Sequence, residues 1–279
     1  MKKKILIIGE KSFIGNYLFG YFKNKLTVKK ISFKKFKKLN INYINIYTHI
    51  INCSLNPLYT KNKYSEKYDV DLQIAKKLQN SVSKFIFLSS RHVYLPKDNI
   101  KENSKVKPIS QYGKNKKKTE DLLFKKLKNN LLILRIANII GDRKIKNSRR
   151  VHKTFIDIFF DNLKLGYVIN NGKIYKDFLT IRQLAIIVLN LINVDAKGIF
   201  NVSAGKKIFL AKLINWLLNY NNAKIKIKNI TKIERNKIEN KSFYLNNSKL
   251  RKKINFNFRL DELKKECFML SKNNLYGKK

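Results

Sequence analysis

Residues Ile5-Leu6-Ile7-Ile8 form a short, unbroken apolar run that Gly9 closes, and from residue 13 apolar side chains recur at helical spacing: Phe13, Ile14, Tyr17, Leu18 and Phe22. A run apolar on both faces suits a strand buried inside a parallel sheet. A strand, a glycine turn and a helix in that order open a βαβ unit. Strand-like segments recur at 27–33, 49–53, 84–89, 131–136 and 198–202, with helical patterns at 69–80, 111–127 and 182–193. The alternation predicts an α/β fold, a doubly wound parallel sheet with helices on both faces. The stretch from about 206 to 279 mixes both patterns and predicts a smaller C-terminal α+β lobe.

The charge points elsewhere at first. Lys and Arg number 62 against 18 Asp and Glu, a net +44, and such a surplus usually signals a polyanion partner. Only nine of the basic residues are Arg, and Lys is spread along the whole chain together with abundant Asn and Ile. That is a compositional bias, not a selected patch, so we expect salt-dependent, non-specific polyanion contacts and no specific nucleic-acid partner. Two cysteines, Cys53 and Cys267, build no disulfide framework, and of the three histidines His49 and His152 have no metal-ligand spacing to anything. No metal is expected. The basic start and Ile5 to Ile8 imitate a signal peptide, but Gly9-Glu10-Lys11 interrupts an apolar stretch already too short for export or a membrane span. The expected location is cytoplasmic.

The chemistry-bearing residues sit where such a sheet binds ligands. Gly9-Glu10-Lys11-Ser12-Phe13-Ile14-Gly15 occupies a strand-to-helix junction, where tight backbone and a helix N-terminus receive a pyrophosphate. Ser12 stands where a dinucleotide turn has its middle glycine, and its hydroxyl could bond a phosphate oxygen. The strand at 84–89 leads into Ser89-Ser90-Arg91-His92-Val93-Tyr94, and Tyr112 and Lys116 follow at i and i+4 on the next helix. They share a face. An ammonium beside a phenol favours the phenolate, which suits an acid/base acting on a carbonyl or an alcohol.

In this order the residues resemble the extended short-chain dehydrogenase/reductase family, in particular its nucleotide-sugar epimerases, dehydratases and reductases. Gly9, Ser12 and Gly15 are similar to the family's G-x-x-G-x-x-G with one departure, and Ser89-Ser90-x-x-Val93-Tyr94 to its S-S-x-x-V-Y. Pro108-x-Ser110-x-Tyr112-Gly113-x-x-Lys116 resembles P-x-S-x-Y-G-x-x-K, with Glu120 at the usual acidic position beyond. Leu134-Arg135-x-x-Asn138-x-x-Gly141 resembles L-R-x-x-N-x-x-G, and Gly172-x-x-x-Lys176-Asp177-Phe178 resembles G-x-x-x-R-D-F. Asp71 falls where the family often has Asn. The resemblance implies a Rossmann-like NAD(P)-binding domain over 1–141 and a mainly substrate-binding lobe over 142–279, with 182–203 returning to the sheet. It implies Ser90, Tyr112 and Lys116 as catalytic. It places the cofactor on Gly9, Ser12, Phe13, Ile14, Gly15, Ser32, Lys34, Asn52, Cys53, Ser54, Ser89, Tyr112 and Lys116. It places the substrate on Ser90, Arg91, His92, Asn138, Lys176 and Arg251, with Arg149 and Arg150 as further candidates for its diphosphate.

A NAD site ends its second strand in a carboxylate for the ribose 2′-hydroxyl. Here that end reads Ile31-Ser32-Phe33-Lys34-Lys35, with no acidic residue between Glu10 and Glu66, so NADP(H) is expected over NAD(H). The resulting expectation is a keto-sugar reductase acting on a nucleotide-linked sugar, with a nucleotide-sugar epimerase as the alternative. Family dehydratases commonly carry Asp-Glu where this chain has Arg91-His92, which argues against dehydration. A non-catalytic dinucleotide sensor or polyanion binder is the reading from another class. A homodimer through the helix bearing Tyr112 is possible, although Lys114, Lys117 and Lys118 would oppose it by like-charge repulsion.

Overall fold

The hydrophobic runs assemble into a six-stranded sheet whose strands are Lys4–Ile8 (β1), Thr27–Ile31 (β2), His49–Asn52 (β3), Lys84–Ser90 (β4), Leu131–Ile136 (β5) and, after four short strands, Gly198–Val202 (β10). The intervening strands are Asn138–Ile140 (β6), Tyr167–Asn170 (β7), Tyr175–Lys176 (β8) and Phe178–Thr180 (β9). The sheet order is β10-β5-β4-β3-β1-β2 and every pairing is parallel. This is a Rossmann-like sheet, seen here in a computed structural model that describes residues 3–141, 154–170, 173–220, 223–224, 231–234 and 242–276.

Alternate residues of each strand feed two separate cores, as the period of two in a strand requires. Ile5 and Ile7 point to one face, where they meet Leu18 and Phe22 of the helix Phe13–Phe22 (α1) and Leu184, Val188 and Leu191 of a later helix, Ile181–Asn193. Leu6 and Ile8 point to the other. There they meet Phe36 of Phe33–Lys38 (α2) and Ile44 of Ile41–Ile44 (α3). Beyond Pro57–Lys61 (α4), the same face takes Ile74 and Leu78 of Val70–Leu78 (α5) and Leu123 of Gln111–Leu127 (α6). Burial on both faces explains why these strands read as continuous apolar runs.

The chain past β6 builds a further apolar cluster. Ile156, Phe159 and Phe160 of Phe155–Lys164 (α7) pack with Leu213, Trp216 and Leu217 of Leu210–Leu218 (α9), and with Leu263 and Cys267 of Leu260–Ser271 (α11). The helix at Ile181–Asn193 is α8, and Ser248–Ile254 is α10. The second strand is shorter than the periodicity suggests. Ser32 leaves the ladder and accepts a hydrogen bond from the Lys35 N–H at 3.2 Å, so its side chain caps α2 and ends β2 at Ile31.

Gly113 fixes where α6 starts. Its neighbour Ser110 caps the helix through the Gly113 N–H at 3.1 Å. A Cβ on Gly113 would lie 2.1 Å from the His92 carbonyl oxygen. We expect Gly113→Ala to cost about 2–3 kcal/mol and to push Tyr112 out of place. Thermal melts and turnover together check this, and an unchanged melting temperature would refute it.

Candidate active site

All six strands of the sheet run in parallel, so their carboxyl ends share one edge, and a ligand crevice forms there. Along it lies a cavity of 1330 Å³. Pockets for one small molecule span about 300–1000 Å³, so this one has room for more than a single small ligand.

At one end stands the turn between β1 and α1. Gly9 adopts a φ of +119°, and a Cβ there would lie 2.9 Å from both the Cys53 carbonyl carbon and the Ser54 nitrogen. The turn is tight because two loops are in backbone contact. Ser12 accepts from the Gly15 N–H at 3.3 Å and so caps α1. Gly9, Ser12, Phe13 and Ile14 line the cavity, as do Ser32 and Lys34 at the head of α2, and Asn52, Cys53 and Ser54 after β3. Gly15 lies one step inside the helix and does not line the cavity.

Ser90 ends β4. Its Oγ accepts from the His92 N–H at 3.2 Å, which turns the chain so that Arg91 and His92 face the cavity. Tyr112 and Lys116, one helical turn apart on α6, line the same wall, and the Lys116 ammonium lies 6.0 Å from the Tyr112 ring centroid. The His92 ring meets the Tyr112 ring edge-on at 5.9 Å. Ser90, Tyr112 and Lys116 are thus brought to one wall.

Lys116 is buried yet held as an ammonium. Its Nζ donates to the Leu88 carbonyl at 2.9 Å and to Asp71 Oδ2 at 3.4 Å, and it lies 4.3 Å over the Phe87 ring. Burial, the largest single influence, favours the neutral amine, but the Asp71, Tyr112 and Asp69 charges and the Asp71 hydrogen bond together outweigh it, and the Lys116 pKa is raised. Asp71 accepts from Asn52 Nδ2 at 2.6 Å, and burial lifts its pKa to about 6. Asp71 sits in the first turn of α5, where the helix dipole favours an anion. From sequence it stood out only as a replacement for Asn. Its pairing with Lys116, 45 residues away, has no local signal.

Other candidates are placed differently from one another. Ser89 reaches the cavity lining, but its hydroxyl donates to Glu120 Oε1 at 2.6 Å, and Glu120 is bound by Arg135 through two bonds of 3.0 and 2.6 Å. Asn138 lines the cavity while its amide donates to the Asp177 carbonyl at 3.0 Å. Lys176 lines it too, and burial, then the nearby Arg91 charge, lower its pKa to about 8. Arg251 is exposed on α10 and does not line the cavity. Arg149, Arg150 and Gly172 lie outside the described residues. Sequence reading did not anticipate the apolar wall from α7, formed by Phe155, Ile158 and Phe159; nothing local distinguishes that face from ordinary core. Among the described residues no group of three His, Cys, Asp or Glu could hold a metal, and no helix is long and apolar enough to cross a membrane.

A parallel sheet with a glycine turn at its carboxyl edge and a Ser–Tyr–Lys set on the adjoining strand and helix defines an extended short-chain dehydrogenase/reductase. The sequence model of the NAD dependent epimerase/dehydratase family matches residues 61–203, and the chain belongs to that family. The fold is similar to the UDP-N-acetylglucosamine 4-epimerase of Methanobrevibacter ruminantium M1, solved with UDP-N-acetylmuramic acid (19% identity, 100% of both chains, TM-score 0.78). It is also similar to the UDP-glucuronic acid 4-epimerase of Bacillus cereus, solved with NAD (16% identity, 99% of this chain and 98% of that one, TM-score 0.74). A third similar structure is the UDP-glucose 4-epimerase of Thermotoga maritima with UDP-glucose (18% identity, 98% of this chain and 99% of that one, TM-score 0.71). No curated protein matches the chain in sequence.

Proposed function

We propose that this protein carries out a nicotinamide-dependent oxidation or reduction at a carbon of a nucleotide-linked sugar. The observation that carries this reading is the convergence of Ser90, Tyr112 and Lys116 on a wall of the same cavity that the Gly9 turn lines. The residues present fit a dinucleotide. The N-terminus of α1 opens on the cavity, and its N–H groups suit a pyrophosphate. Gly9 through Ile14 would hold that part, and Ser32 and Lys34 the adenosine ribose. When bound, the nicotinamide supplies the hydride acceptor and donor.

The chain's own groups supply position and the proton. Tyr112 takes the proton from, or gives it to, the sugar hydroxyl oxygen. Lys116 places its positive charge on the same wall as the phenol, and Asp71 and the Leu88 carbonyl hold that charge in place. Ser90 orients the sugar oxygen. The apolar wall of α7 excludes water from the reacting carbon.

The three similar solved structures described above carry the names of 4-epimerases, which supports an epimerase that returns its reducing equivalents each cycle. A keto-sugar reductase is the second reading. It rests on Ser32 and Lys34 lining the cavity past the end of β2, in a stretch with no acidic residue between Glu10 and Glu66, an arrangement that suits a 2′-phosphate. Fluorescence titration should then give a lower Kd for NADPH than for NADH, and tighter NADH binding would overturn the NADP preference. Turnover without added nucleotide marks an epimerase; consumption of one NADPH per product marks a reductase.

A further inference from the structure

We propose that Arg91 reads a carboxylate on the sugar, so that this protein prefers acidic, uronate-type nucleotide sugars to neutral ones. The inference rests on the nucleotide-sugar reading above and names the class of sugar. Arg91 follows Ser90 directly and lines the same cavity. Its guanidinium lies 4.0 Å over the ring of the buried Phe243, which backs the fork. It makes no hydrogen bond or ion pair with any described residue, and its Nε is enclosed without an acceptor.

An enclosed cation without an anion is costly unless a ligand brings one. Among the described residues the cavity offers Arg91 none. Its lining carboxylates are Glu10, on the glycine turn, and Asp71, which Lys116 and Asn52 already occupy. A second cation also faces the cavity, since the Arg91 charge is one of the causes that lower the Lys176 pKa. Burial pulls the Arg91 pKa itself down to about 10. A planar carboxylate matches the guanidinium fork through two parallel hydrogen bonds. Chain adjacency to Ser90, which would hold the reacting sugar oxygen, puts this fork at the sugar end of the substrate and not at its diphosphate.

Binding of UDP, UDP-glucose and UDP-glucuronate, with the dTDP-linked set alongside, to the wild type and to Arg91→Gln tests this by calorimetry. The wild type should favour the glucuronate over the glucose compound by at least about tenfold, the scale of a charged hydrogen bond. Arg91→Gln should erase that preference and leave the free nucleotide diphosphate bound as before. An undiminished preference in Arg91→Gln, or none in the wild type, overturns the inference. Equal weakening of all ligands, the free diphosphate included, overturns it in favour of a diphosphate contact. Free diphosphate binding in Arg91→Gln also reports that the variant is folded. Should the wild type bind none of the set, the nucleotide-sugar reading itself falls, and this inference with it.

Discussion

Tyr112→Phe should lower kcat by about a thousandfold, the scale of a positioned proton donor, while the Kd for nicotinamide nucleotide stays within about twofold. The substitution removes one oxygen from a half-buried ring whose packing against His92 does not depend on it. Lys116 keeps Asp71 and the Leu88 carbonyl as partners, so its ammonium stays where it is. Loss of turnover with unchanged nucleotide binding and melting temperature would place the phenol in the chemical step. A variant that turns over as fast as the wild type would remove Tyr112 from catalysis.

Glu120→Ala should destabilise the protein by about 3–5 kcal/mol, because it leaves Arg135 as a buried cation without its anion. Arg135 and Glu120 are almost fully buried and joined by two bonds, and Glu120 also accepts the Ser89 hydroxyl. The Arg135 guanidinium further donates to the Tyr94 hydroxyl at 2.7 Å, and that hydroxyl donates to Asn201 Oδ1 at 3.0 Å. The network ties β4, α6, β5 and β10 together behind the Ser90 wall. Thermal unfolding should begin on the order of 10 °C lower. Glu120→Gln, which keeps the acceptor and the shape but not the charge, should fall between. A Glu120→Ala protein that melts with the wild type would show that the pair adds nothing to stability.

The two residues of that pair were readable singly but not as a pair. Arg135 and Glu120 both stood out from sequence as parts of a family pattern, yet neither pattern says that they bind each other. Ser89 was expected at the cofactor and reaches the cavity lining, but its hydroxyl is spent on Glu120. Ser110 and Gly113, read as parts of one motif, act as a cap and as a point of close approach. The end of β2 was misjudged because Ser32 and Phe33 look like strand until the Lys35 N–H is seen to need a cap.

Local order along the chain carried the sheet, the glycine turn and the spacing of Tyr112 and Lys116. Strand and helix periods, and a turn that opens on a glycine, are properties of neighbouring residues, and neighbours are what a single sequence displays. Contacts between residues far apart in the chain were left to the folded structure. Asp71 finds Lys116 across 45 positions, and Ser89 finds Glu120 across 31. Arg91 finds no anion among the described residues. Which buried charges are answered, and which are left for a ligand, depends on how helices and strands pack together, and that packing has no period to read.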